Sequence, residues 1–163
     1  MFEKFVFIAA LGIVALGSSL AWAGDDARSS IHISANIPNK QFHVQPRNPD
    51  FGKDEVMHFN PVNRMLSPVR QIFDVKNTDG SVHAYIEGNS WLFNGTYGIH
   101  TVTMFNNVWL EKVPKEVVDD ATSTPGMTAE MRIFVPLPVS PMLSGLFTGH
   151  ITVIFDAVPR VNS

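Results

Sequence analysis

Between residues 30 and 38 apolar and polar side chains alternate without a break. Ile31, Ile33, Ala35 and Ile37 fall on one side, and His32, Ser34 and Asn36 on the other, before Pro38 ends the run. Residues 147–156 nearly repeat the pattern, with Phe147, Gly149, Ile151, Val153 and Phe155 sharing a face. A period of two sends successive side chains to opposite faces of a sheet, so each stretch is expected to be a strand with one apolar face. Periodicity alone is equally compatible with a first strand kept in its own sheet and with one that pairs elsewhere.

Shorter runs of β-branched and aromatic residues recur between turn signals. Residues 41–46 put Phe42 and Val44 on one side, and Arg47-Asn48-Pro49-Asp50-Phe51-Gly52 reads as a loop. Residues 56–60 form a weak strand pattern ended by Pro61. Residues 71–76 and 81–86 flank Asn77-Thr78-Asp79-Gly80, which predicts a hairpin. A second hairpin is expected where residues 99–105 and 108–110 flank Asn106-Asn107. Residues 115–127 are charged and carry Pro and Gly, so they are expected as a long loop with at most one helical turn at 116–119. Residues 131–135 form a strand stopped by Pro136, Pro138 and Pro141. With no amphipathic helix, repeat or linker, the pattern is that of one all-β sandwich or barrel.

The first 23 residues fall outside this scheme. Lys4 precedes an apolar run over residues 5–16, and Ala21-Trp22-Ala23 supplies a small-x-small cleavage pattern, so residues 1–23 are expected to be a secretory signal peptide. The apolar run is shorter than the roughly 20 residues a membrane span needs. The chain has no cysteine. An exported domain of this kind is held by packing alone, and thiol nucleophiles and cysteine–zinc sites are excluded. A net charge of −3 argues against nucleic acid or an anionic membrane as partner.

Candidate chemistry is sparse. The six histidines, at 32, 43, 58, 83, 100 and 150, never occur at metal-ligand spacing, and His32, His83 and His150 fall on polar strand faces. Asp119-Asp120 reads as a solvated face rather than an acid/base pair. No Gly-x-Ser-x-Gly occurs, and Gly145-Leu146-Phe147-Thr148-Gly149 lacks the Lys-Ser/Thr of a phosphate loop. Asn94-Gly95-Thr96 has the form of a turn. No catalytic residue, metal or cofactor is expected, and the chain is not expected to be an enzyme.

Three segments together resemble the major subunits of the alpha-class fimbriae, the coli-surface-antigen or CFA/I type of the alternate chaperone–usher pathway. Residues 30–38 are similar to that family's N-terminal strand ending at a proline. Residues 102–110 are similar to its strand–FNG–strand hairpin, with Asn107 in place of Gly. Residues 145–155 are similar to its closing G-x-Y-x-G-x-V-x-hydrophobic strand, with Phe147 where Tyr is common. The tail at 157–163 is longer than the pattern leads one to expect, and Trp91 and Trp109 depart from the small-residue texture of better-known members.

The resemblance implies an immunoglobulin-like β-sandwich, incomplete in itself and completed by a donor strand from a neighbouring subunit. Residues 24–38 would be the donor segment and residues 39–163 the pilin domain. Ile31, Ile33, Ala35 and Ile37 would be the donor residues, with Ile151, Val153 and Phe155 lining the acceptor groove. Burying those four donor side chains would contribute roughly 5–10 kcal/mol, and each ladder hydrogen bond about 0.5–1.5 kcal/mol, partly offset by the ordering of the strand. A one-residue slip would turn His32, Ser34 and Asn36 inward, so register is strongly specified. The implied partners are neighbouring fimbrial subunits in a homopolymer, a periplasmic chaperone, an outer-membrane usher and a tip adhesin. The implied route runs through the periplasm to a cell-surface fimbrium that supports adhesion. The rival reading is a monomeric exported carbohydrate-binding β-sandwich or a minor or tip adhesin. There Trp91 or Trp109, beside Asn89 and Asn94, would stack on sugar if exposed and serve packing if not.

Overall fold

The computed structural model describes residues 41–161, together with Ser34. The chain divides into two units, Met1–Asn36 and Ile37–Ser163. The donor residues expected at Ile31, Ile33, Ala35 and Ile37 lie outside the described residues, as does His32. The described strands and helical turn all belong to the second unit.

Twelve strands and one helical turn follow in order among the described residues: β1 (Phe42–Pro46), β2 (Phe59–Asn60), β3 (Met65–Leu66), β4 (Val69–Asn77), β5 (Gly80–Glu87), β6 (Trp91–Phe93), β7 (Gly98–His100), β8 (Val102–Phe105), β9 (Val108–Trp109), β10 (Lys115–Val118), α1 (Asp120–Ser123), β11 (Met127–Phe134) and β12 (Thr152–Pro159). They form a five-stranded sheet, β1-β4-β11-β8-β9, a three-stranded sheet, β10-β5-β12, and the small pairs β2-β3 and β6-β7. All pairings are antiparallel. The fold is an all-β, immunoglobulin-like sandwich. Alternate residues meet between the two main sheets: Phe73 and Val75 of β4, Val82, Ala84 and Ile86 of β5, Phe105 of β8, and Ala129 and Met131 of β11 are buried together. Phe73 and Phe105 pack edge-to-face at 5.5 Å between ring centroids, a geometry the ring quadrupole favours.

The hairpin expected around residues 77–80 does not form. β4 and β5 belong to different sheets, so the turn is an arch that carries the chain across the core. The apolar alternation is the same either way, because arched strands face each other with the same residues a hairpin would set side by side. Buried side chains help to satisfy the arch. The buried Asn77 donates through Nδ2 to the Ser81 carbonyl at 2.7 Å and accepts from the Asp79 N–H at 3.1 Å. The fully buried Ser123 hydroxyl donates to the Gly80 carbonyl at 2.5 Å. Gly80 also has no room for a Cβ, which would collide with the Val158 carbonyl of β12.

Residues 115–118, expected as loop, are strand β10 on the edge of β5. A register shift between Glu116 and Val118 turns both Val117 and Val118 inward, to 3% exposure each. Such a bulge breaks the alternation by which a strand is read. The helical turn falls at α1, one turn later than expected, where the Asp119 carboxylate accepts from the Thr122 N–H at 2.8 Å. The hairpin at Asn106-Asn107 forms as expected, with φ of 48° and 64°. Two left-handed residues in succession are the signature of a type I′ turn.

Candidate functional site

The two flanks of the sandwich differ. On one, the β8–β9 turn is tied to β10: Asn106 Nδ2 donates to the Val117 carbonyl at 2.6 Å, and Lys115 Nζ to the Trp109 carbonyl at 3.1 Å. On the other, β1 ends the five-stranded sheet and β12 ends the three-stranded sheet. No strand among the described residues joins these two edges. β12 pairs with β5 over its whole length, from Thr152↔Glu87 to Pro159↔Gly80, and its other side carries no backbone partner within the described sheets. An edge of this length with no partner among the described residues is a template for another strand.

The residues expected to line an acceptor groove sit on this flank. Val153 and Phe155 stand opposite Ile86 and Ala84, facing the core, and Ile151 packs against the core just before β12 begins. Phe155 meets Phe105 at 4.8 Å and Phe73 at 6.1 Å between ring centroids. All three remain only partly buried, whereas their neighbours Ile86 and Ala84 are 4% and 0% exposed. Val44 of β1 and Phe51 also pack on the core while partly exposed, with Phe51 edge-on to Phe73 at 5.8 Å. Val44 carries the alternation of its own strand, but Phe51, in a Pro/Gly loop, gave no periodic signal. The flank is thus lined by apolar side chains that are only partly buried.

The expected closing strand is displaced. Residues 147–151 are not continuous with β12; Thr148 instead bridges Phe93, through N–H···O=C bonds of 2.9 and 2.8 Å in the two directions. Gly149 lies so close to the Trp91 carbonyl that a Cβ would collide with it. The strand then runs on through Ala157 and Val158 to Pro159, into the tail. There Arg160 grips Asp120 with two bonds, Nε–Oδ2 at 2.7 Å and Nη2–Oδ1 at 2.6 Å, while its N–H donates to the Asp79 carbonyl at 2.7 Å. The guanidinium beside Asp120 holds that carboxyl below the usual aspartate range. Hydrogen bonds from Thr122 do the same for Asp119. The two acids are therefore a helix cap and an ion-pair partner.

Trp91 and Trp109 are 40% and 51% exposed. Trp91 stacks beside Phe93 at 6.2 Å and meets His100 at 5.1 Å, and Trp109 stands edge-on to Phe134 at 6.0 Å. His83 lies 3.9 Å from Glu116 across the β5–β10 pair, and His150 is exposed.

Comparison with known proteins places this geometry. The profile of the CS1 type fimbrial major subunit family matches residues 27–156. No curated protein matches the chain in sequence. Among solved structures, the CooA pilin subunit from enterotoxigenic Escherichia coli is similar in fold. Its TM-score is 0.50 at 12% sequence identity, over 70% of this chain and 86% of that one. The chain belongs to the CS1 type fimbrial major subunit family, and is a structural subunit, a pilin, of a cell-surface fimbria.

Proposed function

We propose that the subunits join by donor-strand complementation, each lending residues 30–37 to the open flank of the next. Ile31, Ile33, Ala35 and Ile37 enter between the β12 and β1 edges and cover Ile151, Val153 and Phe155. The backbone of the incoming strand pairs with the free edge of β12. This is β-augmentation, in which an extended segment adds a strand to an exposed sheet edge, and donor-strand pairing among pilins is a known instance of it. The observation that carries the reading is the β12 edge, which has no strand partner among the described residues and whose inward side chains are half-buried beside fully buried neighbours.

A bare edge of this kind aggregates in solution, so the subunit needs a partner from the moment it folds. A periplasmic chaperone that holds the flank, an outer-membrane usher that exchanges it for the next donor, and a signal peptide at residues 1–23 meet that need. A tip adhesin would end the polymer, and the assembled fimbria would support adhesion.

The test is binding of a synthetic peptide of residues 27–38 to subunit lacking residues 24–38. Expected are a large rise in melting temperature and dissociation too slow to follow within hours. A peptide with Ile33→Asp should do neither. Equal stability of the subunit with and without peptide would overturn the reading.

A further inference from the structure

The outer face of the five-stranded sheet carries a second concavity, on the side of β11 away from the core. Between the β2–β3 hairpin and the end of β11 lies a pocket of about 420 Å³, whose lining includes Phe59, Asn60, Asn63, Leu66, Arg132 and Phe134. No Asp or Glu lines it. The Arg132 guanidinium lies 4.7 Å over the Phe134 ring. Its Nε is buried and has no hydrogen-bond partner among the described residues. Its cross-strand neighbour is another cation, Arg70, whose charge is taken by Glu130 at 2.8 Å. Arg132 thus has no carboxylate partner among the described residues, and what it can offer the pocket is its charge and terminal amino groups rather than the enclosed Nε.

The rim adds further donors. The Oδ1 atoms of Asn60 and Asn63 accept from the N–H groups of Val62 and Met65 at 2.9 and 3.0 Å. Their Nδ2 groups therefore remain as donors. A guanidinium and two amides, walled by Phe59, Leu66 and Phe134, form a site that attracts an anion and shelters an apolar body. A planar guanidinium fork matches a carboxylate in particular.

We infer that this pocket binds a small organic carboxylate built on a ring. Size decides between that and a carboxylate side chain from a neighbouring subunit. The volume lies within the roughly 300–1,000 Å³ of small-molecule sites, and a lone Asp or Glu side chain would leave most of it unfilled. The site is separate from the flank at the outer edge of β12, because Arg132 and Phe134 alternate with the inward-facing Met131 and Ile133.

The experiment titrates assembled wild-type fimbriae with benzoate and glucuronate, and with benzyl alcohol and glucose as their neutral counterparts. Saturation transfer from protein to ligand is the readout. At least one acid should bind saturably and roughly tenfold or more tighter than its neutral counterpart; which acid does so distinguishes an aromatic body from a sugar. Arg132→Gln should weaken that acid by a similar factor, and Phe59→Ala, at a rim position 52% exposed, should weaken it without affecting assembly. Equal binding of acids and neutral counterparts would overturn the inference, as would no binding by either acid. The acid-against-neutral comparison needs only the wild-type protein, so it decides even where Arg132→Gln does not assemble.

Discussion

Phe155→Ala separates a groove that awaits a strand from a sandwich already closed. In the free subunit Phe155 is partly buried, with its ring 4.8 Å from Phe105 and 6.1 Å from Phe73. Removing the ring forfeits two aromatic contacts of about 0.5–1.5 kcal/mol each, together with part of a transfer term that for fully buried Phe brings the cost to about 3–5 kcal/mol. A half-covered ring should therefore cost the free subunit about 2–3 kcal/mol. A donor strand laid over the exposed part would cover roughly 50 Å² more, worth about 1 kcal/mol at ~25 cal/mol per Å². The complemented subunit should then lose about 3–4 kcal/mol. Urea denaturation of the subunit, alone and with the peptide of residues 27–38 bound, measures both losses. The peptide should also leave the variant about fivefold faster, as a difference of about 1 kcal/mol requires. An identical loss in the two states would mean that Phe155 does not face the donor, and the acceptor groove would have to be placed elsewhere.

Gly80→Ala should destabilise the subunit by at least about 2 kcal/mol, measured by denaturant unfolding, because a Cβ there meets the Val158 backbone, which yields less than a side chain. At Asn107, with φ of 64°, Gly should be tolerated and Val should cost about 1–2 kcal/mol relative to Gly, which the same assay resolves. Arg160→Gln should lower the melting temperature at neutral pH. Asp120 is held below its usual range when folded, so the pair stabilises above the unfolded aspartate range and its contribution fades as pH falls through the lower folded value. Wild type and variant should therefore melt alike in strong acid, and a constant difference at all pH values would refute the linkage.

The sequence carried the sheet-forming runs well, because one-sided burial imposes alternation: Val82, Ala84 and Ile86 are 0–4% exposed, and Ser81, His83 and Tyr85 lie between them. It could not carry pairing. The same alternation serves β4 and β5 whether they adjoin or face each other, and the bonds that hold the arch, from Asn77 within it and from Ser123 of α1, have no periodicity to show them. At β10 the bulge hides a strand behind two adjacent valines. Around Gly149 the close approach to Trp91 interrupts a run that reads as one strand. Ile151, Val153 and Phe155, which we propose for the acceptor groove, were legible as core-facing because they continue the core alternation along the last described strand. Phe51 was not, since a loop residue has no periodicity to betray it. Arg132 was hidden as well, because an arginine on the polar face of a strand looks like any other until its neighbours are known.

Strand exchange between subunits is tested most directly by the fimbria itself. Surface material from cells expressing the chain with the proposed chaperone and usher is run unheated on a denaturing gel, beside the Ile33→Asp variant and a variant lacking residues 24–37. Donor-strand complementation predicts a ladder of detergent-resistant multimers for the wild type that collapses to monomer on boiling and is absent from both variants. A ladder that survives loss of residues 24–37, or a single monomer band from the unaltered chain, would contradict it.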